Sequence, residues 1–283
     1  MSGLPWGQRT YVMGVINLTP DSFSDGGRFL VPERAFAQAR RLVLEGVDIL
    51  DLGGQSTRPG ADEIGADAEL ARVLPVLQLL RRDWPADLRR PLISIDTFLA
   101  PVAAAALAAG ADWINDVSGG RRDPQMAALV AAAGCPYVLM HSRGDSRSMD
   151  SLISYPQGVL EGVRTELLAL SETALAAGVR REQLLWDPGL GFAKTTEQNL
   201  ALLDGLGTLR SEGIPLLVGP SRKRFIGAVL DEPRPSARLW GTAAVVAKAV
   251  AGGADVVRVH DGRPIVQTAR MADALWRRPQ ASI

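Results

Sequence analysis

The chain has 283 residues, 47% of them hydrophobic, with 31 basic and 31 acidic side chains. That length suits one α/β domain with a large core, and zero net charge provides no global field for nucleic acid or an acidic membrane. The lone Cys135 excludes an internal disulfide, and one cysteine with two histidines cannot build a structural zinc site.

The opening "MSGLPWGQRTYVMG" has no basic segment followed by an apolar run, so no signal peptide is expected. The longest uncharged stretch, 126–142, is interrupted by "GCP" and is short for a bilayer span. A soluble, cytoplasmic protein is the expectation. Cys135 itself sits in "AAAGCPYVLM", where a buried, inert thiol is expected.

Eight short, nearly continuous apolar runs follow one another: 11–17, 48–54, 91–97, 113–119, 137–142, 184–190, 215–221 and 256–261. Such runs fit parallel strands buried on both faces. Between them lie helical patterns such as "ERAFAQARRLVLEG" and "GVLEGVRTELLALSETALAAG", many closing on a glycine just before the next strand. Eight alternations predict a (β/α)8 barrel, with 1–283 forming one domain. A doubly wound open sheet would bring fewer strands and a glycine-rich dinucleotide turn, which is missing.

Barrels of this kind place their chemistry at the C-terminal strand ends. Those ends read Asn17; Asp51 and Gln55; Asp96; Asn115 and Asp116; His141; Asp187; Ser221, Arg222 and Lys223; Arg258, His260 and Asp261. Both histidines of the chain are in that set. Arg258 and His260 are two residues apart and so share a face, suited to phosphate oxygens; a solvated salt-bridging pair is the alternative. The "SRKR" run opens a helix after strand seven, in the corner where barrels commonly take phosphate. Asp96, Asn115 and Asp187 could present acceptors and donors to a flat heterocycle such as a pterin or purine, or oxygens to magnesium. The polar loops "TPDSFSDGG" (19–27) and "GGQSTRPGA" (53–61) have the glycine hinges and polar residues that a closing lid needs.

"MGVINLTPDSFSDGG" and "DLGGQSTRPGA" closely resemble the two signature segments of the dihydropteroate synthase family. The resemblance continues through "SIDT", "INDVSGG", "LMHSRG", "DPGLGFAKT", "GPSRKRFIG" and "RVHD" over nearly the whole chain. It implies condensation of (7,8-dihydropterin-6-yl)methyl diphosphate with 4-aminobenzoate, giving 7,8-dihydropteroate and diphosphate, in a barrel that is commonly a homodimer and a sulfonamide target. By motif match, Asp96, Asn115, Asp187 and Lys223 would bind the pterin. Asn17, Arg258 and His260 would hold the diphosphate, with magnesium bridging Asn17 and the phosphates. Phe23, Asp25, Thr57, Arg58 and Pro59 would be lid residues, Phe192 would line the aminobenzoate site, and Arg224 would lie near that substrate's carboxylate. The implied mechanism is dissociative: diphosphate leaves first, Asp96 offsets the charge on the pterin methylene, and the neutral arylamine attacks.

The chain departs from the family pattern at four places: Gln55 for glutamate, Leu99 for a charged residue, Ser142 for methionine and Ala193 for glycine. Two other functions share parts of this pattern. A methyl transferase acting on methyl-folate and a corrinoid protein would have no use for Asn17, Arg258 and His260 as a diphosphate set. A non-enzymatic paralogue would have no need of intact lid motifs.

Overall fold

The structure, a computed structural model, describes residues 4–19, 32–56 and 62–277. Its strands are β1 (Tyr11–Asn17), β2 (Ile49–Gly53), β3 (Leu92–Asp96), β4 (Trp113–Asp116), β5 (Tyr137–Met140), β6 (Leu184–Asp187), β7 (Leu217–Val218) and β8 (Val256–Val259). The helices are α1 (Pro32–Leu44), α2 (Ala66–Arg82), α3 (Ala100–Ala108), α4 (Met126–Ala133), α5 (Val159–Ala176), α6 (Thr196–Asp204), α7 (Leu206–Arg210), α8 (Arg224–Leu230), α9 (Leu239–Ala251) and α10 (Gly262–Trp276). All ladder pairings are parallel, in the order β6-β5-β4-β3-β2-β1-β8-β7. A parallel bridge between Trp186 and Leu216 joins the two ends of that order, so the sheet closes on itself. The fold is the expected (β/α)8 barrel.

Strand alternation divides the side chains cleanly. One face of each strand packs against the helices; Leu50, Ile93, Ile114, Leu139, Trp186, Val218 and Val257 lie there, all in one apolar cluster. The other face fills the barrel. Its lower level is apolar, built from Met13, Ile49, Trp113, Val138, Leu185, Leu217 and Val256. One position pair further along, the inward residues turn polar: Asp51, Asp96, Asn115, Asp187 and Arg258 follow by the two-residue period. The lower level is a packed floor, and the polar level above it is the bottom of a mouth.

The glycines that close the helices behave as expected. Gly134, after α4, has φ 68° and its N–H bonds to the Val130 carbonyl, a left-handed cap that turns the chain into β5. Cys135 is buried, in accord with expectation. Among the described residues no helix is long and apolar enough to cross a membrane.

Candidate active site

The inward face of the upper strand ends encloses a cavity of about 400 Å³, bordered by Asn115, Met140, Asp187, Phe192, Lys223 and Arg258. Asn115, Asp187 and Arg258 come from the last two residues of β4 and β6 and from β8. Lys223 is the residue before α8, and Phe192 lies on the β6–α6 turn. A second hollow of about 500 Å³ adjoins it, shares Val117 and Phe192, and is walled by Gln55, Phe98 and Met149.

Arg258 is fixed at the centre. Its Nε donates to Asp51 Oδ2 and its Nη2 to Asp96 Oδ2, each at 2.6 Å. Burial works against the guanidinium charge, but Asp51 and Asp96 outweigh it and raise the pKa. The same Asp51 oxygen accepts from Asn115 Nδ2 at 3.2 Å, which orients that amide with its carbonyl oxygen left uncommitted to Asp51. Asp96 is pushed above its ordinary pKa, first by burial and with Arg258 opposing. Asp51 is wholly buried. The sequence places it at a strand end without a role; the structure makes it the anchor of both Arg258 and Asn115.

Asp187 is also buried, and its Oδ1 accepts the Gly189 N–H at 2.8 Å. Burial raises its pKa, opposed by that N–H and by Lys223. Burial likewise lowers Lys223 to about 8. The Lys223 ammonium sits 4.1 Å from the centroid of the Phe192 ring, a cation–π contact that places the aromatic ring at the cavity rim.

His260 continues the inward face of β8, half-buried. Its backbone N–H and its Nδ1 both meet Ser221 Oγ, at 3.2 and 2.9 Å. Burial first, then the Arg258 and Arg222 charges, depress its pKa to about 3, so the imidazole is neutral at pH 7. Arg222 is taken by Asp261 in a two-pronged pair at 3.1 and 2.6 Å, tying the β7 and β8 ends together. Arg224 is exposed and pairs with Asp150, its closest contact being 2.6 Å. Asn17 ends β1 on the inward face, half-buried.

Two strand-end residues do not belong to the mouth. His141 points to the helix layer, where its Nε2 meets Glu166 at 3.0 Å and its Nδ1 meets Lys194 at 3.0 Å. Asp116 also faces outward, accepting from Ser118, Gly120 and the Tyr137 hydroxyl, and so shapes the turn after β4. Each lies one residue beyond an inward neighbour, so the alternation that aims Met140 and Asn115 inward aims these outward. Gln55 is buried and its Oε1 accepts from the Ile64 N–H at 3.3 Å, bracketing the second signature loop. Phe23, Asp25, Thr57, Arg58 and Pro59 lie outside the described residues.

Residues 13–260 match the family described as pterin binding enzyme. The chain is 50% identical over 272 residues to the dihydropteroate synthase of Synechocystis sp., spanning 96% of this chain and 92% of that one. Its fold matches that of a Clostridium difficile dihydropteroate synthase studied in the presence of pteroic acid, with a TM-score of 0.90 and 40% identity, over 97% of this chain and 100% of that one. The Xanthomonas albilineans dihydropteroate synthase with 4-aminobenzoic acid gives 0.87 at 40% identity, over 96% and 95% of the two chains. With barrel, cavity and sequence in agreement along nearly its whole length, the chain belongs to the dihydropteroate synthase family of pterin binding enzymes.

Proposed function

We propose that the protein condenses (7,8-dihydropterin-6-yl)methyl diphosphate with 4-aminobenzoate, forming 7,8-dihydropteroate and diphosphate in folate biosynthesis. The observation that carries this reading is the convergence of Asn115, Asp187, Lys223 and Arg258 on one cavity rimmed by Phe192. An acceptor carboxylate, an oriented amide and an ammonium suit the donor and acceptor edges of a pterin. Their burial strengthens each contact, because no water competes for it.

Arg258 and the neutral His260 supply donors for the diphosphate, which leaves first. An imidazole whose Nδ1 accepts a hydrogen bond from the Ser221 hydroxyl carries its proton on Nε2, ready to donate to a phosphate oxygen. Two carboxylates, Asp51 and Asp96, face a single guanidinium. With Asp96 ionised, the polar layer beneath the cavity carries net negative charge, which favours the cationic pterin methylene over the uncharged methylene of the diphosphate ester. The neutral arylamine nitrogen then bonds to the methylene from the Phe192 side, and the proton it loses passes to the departed diphosphate or to water. No side chain forms a covalent bond to substrate in this scheme.

Magnesium is the proposed cofactor. Among the described residues no group of three or more His, Cys, Asp or Glu side chains is disposed to hold a metal. Asn17 offers one amide oxygen, which fits an ion that takes most of its ligands from phosphate and water, as magnesium does. Asn17 would hold it, and the ion would neutralise charge on the departing diphosphate. A cytoplasmic homodimer that binds sulfonamide mimics of 4-aminobenzoate completes the reading.

The test is diphosphate release from the pterin diphosphate with and without 4-aminobenzoate, with products separated by chromatography. Release that depends on 4-aminobenzoate and yields dihydropteroate supports the function. A folded protein that binds the pterin yet makes no dihydropteroate overturns it.

A further inference from the structure

Behind the cavity, on the helix side of the barrel, lies a buried chain of polar groups that none of the roles above employs. Lys194 is 8% exposed. Its Nζ donates to the Gly189 carbonyl at 2.9 Å and the Phe192 carbonyl at 2.9 Å, and it meets His141 Nδ1 at 3.0 Å. As an ammonium, Nζ has three protons for these three acceptors, while burial lowers its pKa to about 7. With Nδ1 accepting, the His141 proton sits on Nε2 and donates to Glu166, which Arg143 holds in turn. The chain therefore runs from α5 to both ends of the Gly189–Phe192 turn.

That turn is tightly constrained. Gly189 has φ 68°, and a Cβ there would stand 1.8 Å from the His141 carbonyl oxygen. Ala193 has φ 49°, a left-handed conformation that an alanine adopts only at a cost. Its carbonyl accepts from the Tyr155 hydroxyl at 3.1 Å. Two side chains from outside the turn, Lys194 and Tyr155, thus grip the backbone on either side of the Phe192 peptide unit.

We propose that Lys194 is a positioning residue: by clamping the Gly189–Phe192 turn against His141 it holds the Phe192 ring over Lys223 and so sets affinity for the arylamine substrate, without touching substrate itself. The inference rests on the aminobenzoate role given to Phe192 above. Lys194 is not among the residues bordering either cavity, whereas Phe192 borders both. Loss of the clamp releases one aromatic ring and leaves the Asn115–Asp51–Arg258 floor intact.

The test is a double-mutant cycle on the full chain, since coupling between two positions isolates their interaction from general damage. Lys194→Met is expected to raise KM for 4-aminobenzoate at least about tenfold while pterin affinity, measured by calorimetry, changes less than about threefold. In a Phe192→Ala background the same substitution is expected to have no further effect on KM. Lys194→Arg, which keeps a cation with several donors, is expected to restore most of the loss. If Lys194→Met does not fold, Tyr155→Phe decides: a smaller KM increase that also vanishes in Phe192→Ala supports the clamp. Equal losses for pterin and 4-aminobenzoate, or additive effects in the double variants, overturn the positioning role. Wild-type protein without 4-aminobenzoate-dependent turnover overturns the functional reading and this inference with it. Active wild type with additive variants removes only the inference.

Discussion

Asp51 and Arg258 meet at 2.6 Å in the middle of the barrel, and the same Asp51 oxygen also receives the Asn115 amide. A wholly buried carboxylate thus positions two of the groups proposed to contact substrate. Removing one member of a buried ion pair leaves the other uncompensated, at a cost of about 3–5 kcal/mol. Asp51→Ala is therefore expected to lower stability to urea by about that amount and to weaken pterin binding, because Asn115 and Arg258 both lose their reference point. A change below about 1 kcal/mol with unaltered pterin affinity would show that Asp96 alone suffices.

Asp187 combines two jobs, accepting the Gly189 N–H and lying beside Lys223. Asp187→Asn keeps an acceptor for the turn but removes the charge. Pterin affinity is expected to fall by about 1.5–3 kcal/mol, the range for a hydrogen bond to a charged group. Circular dichroism is expected to be unchanged. Unaltered affinity in the folded variant would confine Asp187 to shaping the turn.

Glu69 on α2 is 1% exposed, and burial raises its pKa to about 7 against the opposing effects of Thr97 and Arg72. The unfolded chain releases that proton near 4.5. Between the two values the folded state keeps a proton that the unfolded state has lost, so stability falls as pH rises through this window. The fall is at most about 3 kcal/mol. Urea unfolding at pH 4.5 and pH 8 is expected to show Glu69→Gln gaining about 1–3 kcal/mol relative to wild type at the higher pH. An equal difference at both pH values would mean Glu69 ionises normally in the fold.

Ala193 holds a positive φ of 49° where the family commonly has glycine. Left-handed backbone costs about 1–2 kcal/mol for an L-residue, partly offset by glycine's greater freedom in the unfolded chain. Ala193→Gly is expected to stabilise by roughly 0.5–1 kcal/mol, read as an upward shift in the urea midpoint. Destabilisation would mean that glycine's freedom in the unfolded chain outweighs the relief of the left-handed backbone.

The amino-acid sequence alone determined the architecture. Eight apolar runs with helical stretches between them predict a parallel sheet covered by helices, and eight strands without a glycine-rich dinucleotide turn select the closed barrel over an open sheet. The two-residue period also put Arg258 and His260 on one face. It did not separate inward from outward residues at the strand ends, since polarity is common to both. Only the tertiary structure decided that His141 and Asp116 serve the helix side while Asn115 and Asp187 serve the cavity. The roles of Asp51 and Lys194 were equally invisible: Asp51 lies 207 positions from Arg258 and Lys194 lies 53 from His141. Contacts over such separations arise when barrel closure brings strands and turns together, and no local pattern encodes them. Arg222 and Arg224 illustrate the same limit, for adjacent cations in one motif with Lys223 are claimed by Asp261 and Asp150. Lys223 alone of the three reaches the cavity, because folding gives the other two carboxylate partners and leaves Lys223 facing Asp187 and the Phe192 ring.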